Sequence, residues 1–242
     1  MNWIHTIIDV PSDLAQPTRE FWSEVIGAQV GEPWPNHPEF TSLEPAVGDA
    51  FVHVQVVDGP ARIHLDLSVD DLDAETRRLV AAGAVASSRR ETWQVLTSPG
   101  GMPFCLVKES DHTITPDAVR WPGGHASRLL QVCIDSPEAV HNQEVVFWPT
   151  ATRWSVRPSE RPEFAGKCYP PNGPIRLLLQ RLGADDPGVR TRAHLDLATD
   201  DVVAEVARVR ELGATMIGPG FGWVALRDPA GLPFCVTDQS PS

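Results

Sequence analysis

With 242 residues, 42% of them hydrophobic and 21% charged, the chain has the composition of a soluble globular protein long enough for two ordinary domains. A net charge of −12 with scattered basic residues argues against a polyanion partner, so neither nucleic acid nor an acidic membrane surface is expected. No apolar run reaches bilayer-spanning length, and Cys105, Cys133, Cys168 and Cys235 show no close-spaced disulfide or zinc pattern, which fits a reduced, cytoplasmic protein.

The chain opens directly into a strand over Trp3 to Val10, with no basic region or cleavable apolar stretch, so no targeting leader is expected. A short helix follows, with Pro17 tolerated near its first turn, an apolar face of Phe21, Trp22, Val25 and Ile26, and Gly27 as the residue that ends it. Strand patterns return over Phe51 to Val57 and Arg62 to Val69. Asp70 and Asp71 can cap a second helix carrying Leu72, Leu79 and Val80, closed by Gly83. Val85, Trp93 to Thr97 and Phe104 to Val107 read as the closing strands. Lys108 to Ala126 is polar, contains Pro116, Pro122 and Gly123-Gly124, and reads as a linker.

The remainder repeats this order. Arg62-Ile63-His64-Leu65-Asp66-Leu67 returns as Arg192-Ala193-His194-Leu195-Asp196-Leu197, and residues 62–107 align without a gap on 192–237 with 19 identities. Chance would give roughly three at ordinary composition. Phe21-Trp22 matches Phe147-Trp148 at a displacement of 126, so four residues enter the second half between Trp148 and Arg192, an interval that holds a proline-rich stretch from Arg157 to Pro174 that reads as a loop. Pro149 lies inside the second-half counterpart of the first helix and is expected to end or kink it. Four βαβββ units follow, two in each half.

Ile4-His5-Thr6, Phe21-Trp22-Ser23-Glu24-Val25-Ile26-Gly27, His64-Leu65-Asp66-Leu67 and the ending Asp228-Pro229-Ala230-Gly231-Leu232-Pro233-Phe234-Cys235 resemble the glyoxalase-like proteins of the vicinal oxygen chelate superfamily. That superfamily includes glyoxalase I, extradiol dioxygenases and bleomycin-resistance proteins. The resemblance implies an α+β fold of two tandem glyoxalase-like domains, 1–110 and 127–242, joined by a linker over 111–126. In each domain paired βαβββ units form one curved mixed sheet, a cup with room for a small molecule.

Carried over position by position, the inward residues are His5, Gln55, His64 and Cys105 in the first half and Gln131, Gln180, His194 and Cys235 in the second. The first set implies a divalent metal, with His5 and His64 as catalytic residues. The second has one histidine, two amides and a cysteine, and amides are poor ligands for transition metals, so a metal is expected in the N-terminal domain only. Metal-dependent members usually carry glutamate where Cys105 and Cys235 stand, which disfavours ordinary glyoxalase I chemistry. Both cysteines read as small core residues rather than nucleophiles.

Trp93 and Trp223 occupy matching strand positions and either pack in the core or line the cups. Two functions remain open. One is a lyase or isomerase acting on a carbonyl or enolisable small molecule in the N-terminal cup. The other is non-catalytic binding of an aromatic or antibiotic-like ligand, as in bleomycin resistance. The duplication suits either a monomer, its halves forming a pseudo-dimer, or a homodimer.

Overall fold

In the computed structural model, which describes residues 3–108 and 112–242, the chain alternates single helices with runs of strands. The first half comprises β1 (Ile4–Val10), α1 (Ser12–Ile26), β2 (Ala28–Trp34), β3 (His37–Pro45), β4 (Val52–Val56), β5 (Arg62–Val69), α2 (Leu72–Ala81), β6 (Val85–Arg89), β7 (Trp93–Thr97) and β8 (Pro103–Lys108). A two-residue strand, β9 (Val119–Arg120), precedes the second half: β10 (Ala126–Ser136), α3 (Glu138–Thr152), β11 (Ser155–Pro158), β12 (Phe164–Tyr169), β13 (Arg176–Arg181), β14 (Arg192–Thr199), α4 (Val202–Glu211), β15 (Thr215–Pro219), β16 (Trp223–Arg227) and β17 (Pro233–Thr237).

The first sheet has the order β2-β3-β4-β1-β5-β8-β7-β6. The second repeats it as β11-β12-β13-β10-β14-β17-β16-β15, with β9 paired to β10. In each, β5 with β8, or β14 with β17, pairs in parallel and is followed by an antiparallel hairpin. The C-terminal ends of β1 and β4, or of β10 and β13, lie together through the Val57 N–H to the Val10 carbonyl or the Leu182 N–H to that of Ser136. The fold is therefore the expected α+β one of paired βαβββ units in curved mixed sheets.

Two compact units follow from the contacts. One takes the described residues of Met1–Thr6, His64–Thr113 and Val132–Ala193; the other takes Ile7–Ile63, Ile114–Gln131 and His194–Ser242. In the first, Phe104 packs against Phe147 and Trp148, with ring centroids 5.7 and 5.5 Å away. In the second, Phe234 does the same with Phe21 and Trp22, at 5.8 and 5.3 Å. These rings are all buried, and they explain why the Phe-Trp and Phe-Cys pairs recur in both halves of the sequence.

Each unit is also tied by an arginine fork. In the first, Arg78 on α2 donates to the carbonyls of Thr150 and Ala151 at the C-terminus of α3. In the second, Arg208 on α4 donates to those of Glu24 and Val25 at the end of α1. Glu75 and Glu205, one turn earlier on the same helices, hold the two guanidinium groups. A cation at a helix C-terminus satisfies orphan carbonyls and opposes the helix dipole.

The caps agree with the sequence. Asp71 accepts from the backbone N–H of Asp73 and Ala74, and Asp201 from that of Ala204. Gly27 closes α1 at φ 64°, and a Cβ there would meet Val119 at 2.8 Å, so both conformation and space require glycine.

Four readings need correction. Pro149 does not end α3, which runs on to Thr152; Phe147 and Trp148 are buried beside it, and the hydroxyls of Thr150 and Thr152 bond the carbonyls four residues back. Burial of this face outweighs the lost backbone bond. Pro17 likewise sits within α1 rather than in its first turn. Val80 is 45% exposed, leaving Leu72 and Leu79 as the buried face of α2. The stretch from Arg157 to Pro174 is no plain loop, because the second half of β11 and all of β12 lie within it, and the two strands pair residue by residue.

Candidate functional site

Parallel pairing of β5 with β8 sets Asp66 beside Cys105, and pairing of β8 with β7 sets Val95 on its other side. Side chains alternate along a strand, so His64, two residues before Asp66, projects to the same face. The result is a compact donor group: one ligand atom each from His64, Asp66 and Cys105, all within 4.8 Å of one another. His64 Nε2 lies 3.3 Å from Asp66 Oδ1, an oxygen that is buried and takes no hydrogen bond. Burial pushes the Cys105 thiol up to about 11; the nearby Asp66 charge adds to this and hydrogen bonding to His64 opposes it. Unmetallated, Cys105 is therefore a neutral thiol and no nucleophile.

His5 on β1 joins this group. Burial drives its pKa down to about 4, against the raising influence of Asp66 and with a further lowering from His112, so its imidazole is uncharged at neutral pH. Trp3 and His112 frame it: the His112 ring meets His5 edge-on at 4.9 Å and stacks on Trp3 at 5.5 Å. His112 comes from the segment read as a linker, where nothing in the sequence marked it. Asp66 recurs in the repeat as Asp196, and it is a donor that the resemblance does not imply.

Trp93 lies on the Cys105 face of the sheet, since it pairs with Val107 two residues beyond the Val95–Cys105 pair; Gln94 and Leu96 face the other way and are buried. Gln55 sits on β4 opposite Phe40 and belongs to the other compact unit. That strand also carries His53, which shares the Ser42 hydroxyl with the Trp34 indole; Trp34 in turn stacks on Phe40 at 4.9 Å. Trp34 is thus part of an aromatic wall on β2, β3 and β4.

The second half repeats the donor group as His194, Asp196 and Cys235, again within 4.8 Å. His194 Nε2 is 3.3 Å from Asp196 Oδ1 and 3.7 Å from Cys235 Sγ. Gln131 stands where the first half has His5, and its amide nitrogen donates to Asp196 Oδ2 at 2.5 Å. Gln180 accepts from the Cys133 thiol at 3.1 Å. Trp223 pairs with Thr237 and so shares the Cys235 face.

The family model for the glyoxalase-like domain matches residues 5–107 and again 131–237. The chain belongs to this family. As a tandem glyoxalase-like protein of the vicinal oxygen chelate superfamily it has many structural neighbours. A Mn(II)-bound glyoxalase from Novosphingobium aromaticivorans superposes with a TM-score of 0.67 and 18% identity, over 98% of this chain and 81% of that one. A variant of 4-hydroxymandelate synthase from Streptomyces coelicolor gives 0.61 and 15%, over 98% and 93%. The 2,2',3-trihydroxybiphenyl 1,2-dioxygenase of Sphingomonas wittichii gives 0.59 and 15%, over 96% and 88%. At these identities the likeness is one of fold. No curated protein matches the sequence. Among the described residues no helix is long and apolar enough to cross a membrane.

Proposed function

We propose that this glyoxalase-like protein is a small-molecule enzyme of the lyase or isomerase type, acting on a carbonyl or enolisable compound in its N-terminal domain. The domains are taken as 1–110 and 127–242, with 111–126 between them. The observation that carries the reading is the His64–Asp66–Cys105 group with His5 beside it.

A divalent metal of the kind bound by the Novosphingobium glyoxalase suits these residues. They offer nitrogen, oxygen and sulfur donors within 4.8 Å, and Asp66 Oδ1 is a buried oxygen without a hydrogen bond. His64, Asp66 and Cys105 would hold the ion; a thiolate and an imidazole together favour zinc. Bound there, the metal supplies Lewis acidity toward a carbonyl or enediolate oxygen. In this reading His5 would accept a proton from the carbon next to that carbonyl and return it, and Asp66 would orient what binds beside it. Trp93 offers an apolar wall on the same sheet face. Asp66 takes up, one strand over, the carboxylate that relatives usually carry at the Cys105 position.

The reading confines metal chemistry to the N-terminal domain, because Gln131 engages Asp196 where His5 would stand. Elemental analysis of protein purified without chelator or affinity metal tests it. About one equivalent of metal, lost in His64→Ala and kept in His194→Ala, supports it. No metal after incubation with zinc, manganese, nickel and iron ions overturns the metal enzyme. Saturable binding of aromatic ligands without turnover would then favour a binding protein.

A further inference from the structure

Trp3 and Ser68 are each 3% exposed, and neither the Trp3 indole N–H nor the Ser68 hydroxyl has a hydrogen-bond partner among the described residues. Buried groups of both kinds usually find one, because leaving them unmet costs free energy. The repeat shows that the fold does not ask for these atoms. Leu129 and Ala198 stand at the equivalent positions of the second half, and both are buried.

The two residues are neighbours beside the donor group. The Ser68 N–H donates to the Trp3 carbonyl at 3.2 Å, which sets the residue just before β1 opposite Ser68 on β5. Ser68 lies two residues beyond Asp66 and so projects to the same face. Register extends the row across the sheet: Ser68 pairs with Val107, and Val107 with Trp93. A row of Trp3, Ser68, Val107 and Trp93 therefore runs alongside Asp66, Cys105 and Val95, about 7 Å away along the strands. The Trp3 ring centre is 6.3 Å from that of His5. In the second half the Val107 position holds Thr237, whose hydroxyl is satisfied by the Leu197 carbonyl.

We infer that Trp3 and Ser68 are specificity-determining residues of the N-terminal site, and that they hold a distal hydroxyl of an aromatic carbonyl substrate. The inference rests on the reading of that site as one for a carbonyl or enolisable compound. An indole only donates, whereas a serine hydroxyl both donates and accepts. A phenolic hydroxyl satisfies both: its oxygen takes the indole N–H, and its proton goes to Ser68 Oγ. Tryptophans at either end of the row suit a flat aromatic body. With the carbonyl at the donor group, a benzene ring carries a para hydroxyl across the distance between the two rows.

Full-length protein incubated with zinc is titrated calorimetrically with 4-hydroxyacetophenone and with 4-methylacetophenone, which matches it in size and lacks the hydroxyl. The hydroxy compound should bind at least about tenfold more tightly. Ser68→Ala and Trp3→Phe should each narrow that preference, and the double variant should lose it. Ser68→Ala should keep the wild-type urea midpoint, since the repeat carries alanine there and no bond is lost. Circular dichroism checks the fold of Trp3→Phe, and Ser68→Ala carries the test alone if that variant fails to fold. The same titration on chelator-stripped protein separates this inference from the metal reading. A preference that persists there and falls in Ser68→Ala supports the two residues whether or not a metal binds. One equivalent of bound metal with equal affinities for the two compounds overturns the inference and leaves the metal site standing. No binding of either compound, a preference that survives the substitutions, or a loss of stability in Ser68→Ala also overturns it.

Discussion

The indole nitrogen of Trp148 donates at 2.6 Å to Glu144, one turn earlier on the same helix, whereas its repeat counterpart Trp22 donates at 2.9 Å to Asp228, 206 positions away. The carboxylate has changed places between the halves. Thr18 occupies the helix position of Glu144, and Ser98 the turn position of Asp228. Both carboxylates also take backbone N–H groups, Glu144 from Gly100 and Asp228 from Ala230 and Leu232. One buried requirement, an acceptor for a core indole, is met by two sequence solutions.

Burial pushes the Glu144 pKa above its ordinary value of 4.5, with hydrogen bonds from Ser98, Gly100, Trp148 and Thr191 pulling against it. A raised group contributes stability that is complete below the unfolded value and is lost as pH rises through the folded one. Wild type should therefore gain stability relative to Glu144→Gln as pH falls from about 7 toward the unfolded value. Melting temperatures of the two proteins across that range test this. A gap that moves in favour of the variant on acidification would contradict it.

The arginine forks should matter more than surface charges do. Arg208→Ala leaves the carbonyls of Glu24 and Val25 and the fully buried Glu205 without their shared donor. The expected cost is about 2–3 kcal/mol, read as a lower urea midpoint at unchanged slope. Arg208→Lys should recover less than half of it, since an ammonium cannot span two carbonyls and a carboxylate with a planar fork. A full rescue by lysine would show that charge alone suffices.

How far the sequence reveals this protein depends on whether the signal is local. Asp71 and Gly27 act on their own backbone and are readable as caps. The repeat His64-Leu65-Asp66-Leu67 identified the architecture because duplication had kept the strand intact. Pro149 misled because the helix penalty is local while the burial of Phe147 and Trp148 that outweighs it is not. The prolines between Arg157 and Pro174 suggested a loop, yet Pro158 ends β11 and Pro170 follows β12, places where a strand tolerates them. The position of His112 depends on tertiary placement and left no periodic trace.

Cys105 supplies the soft donor of the proposed site, and replacing it should change which metal binds. Cys105→Ser keeps the size and removes the thiolate, so zinc affinity should fall by at least about tenfold while manganese affinity changes little. Competition with a chromophoric chelator measures both. No loss of zinc affinity would place the sulfur outside the coordination shell.

Gln131→His offers a gain of function rather than a loss. The second half already holds His194, Asp196 and Cys235 in the geometry of the first, and differs at the strand position where Gln131 donates to Asp196. Histidine there restores the His5 arrangement and releases one carboxylate oxygen from the amide. Metal content should rise from about one to about two equivalents, and His194→Ala on that background should return it to about one. Gln131 is fully buried, so circular dichroism must first show the fold intact. A folded Gln131→His protein that still binds a single ion would mean that the two donor groups differ in more than this residue. The confinement of metal to the N-terminal domain would then need another cause.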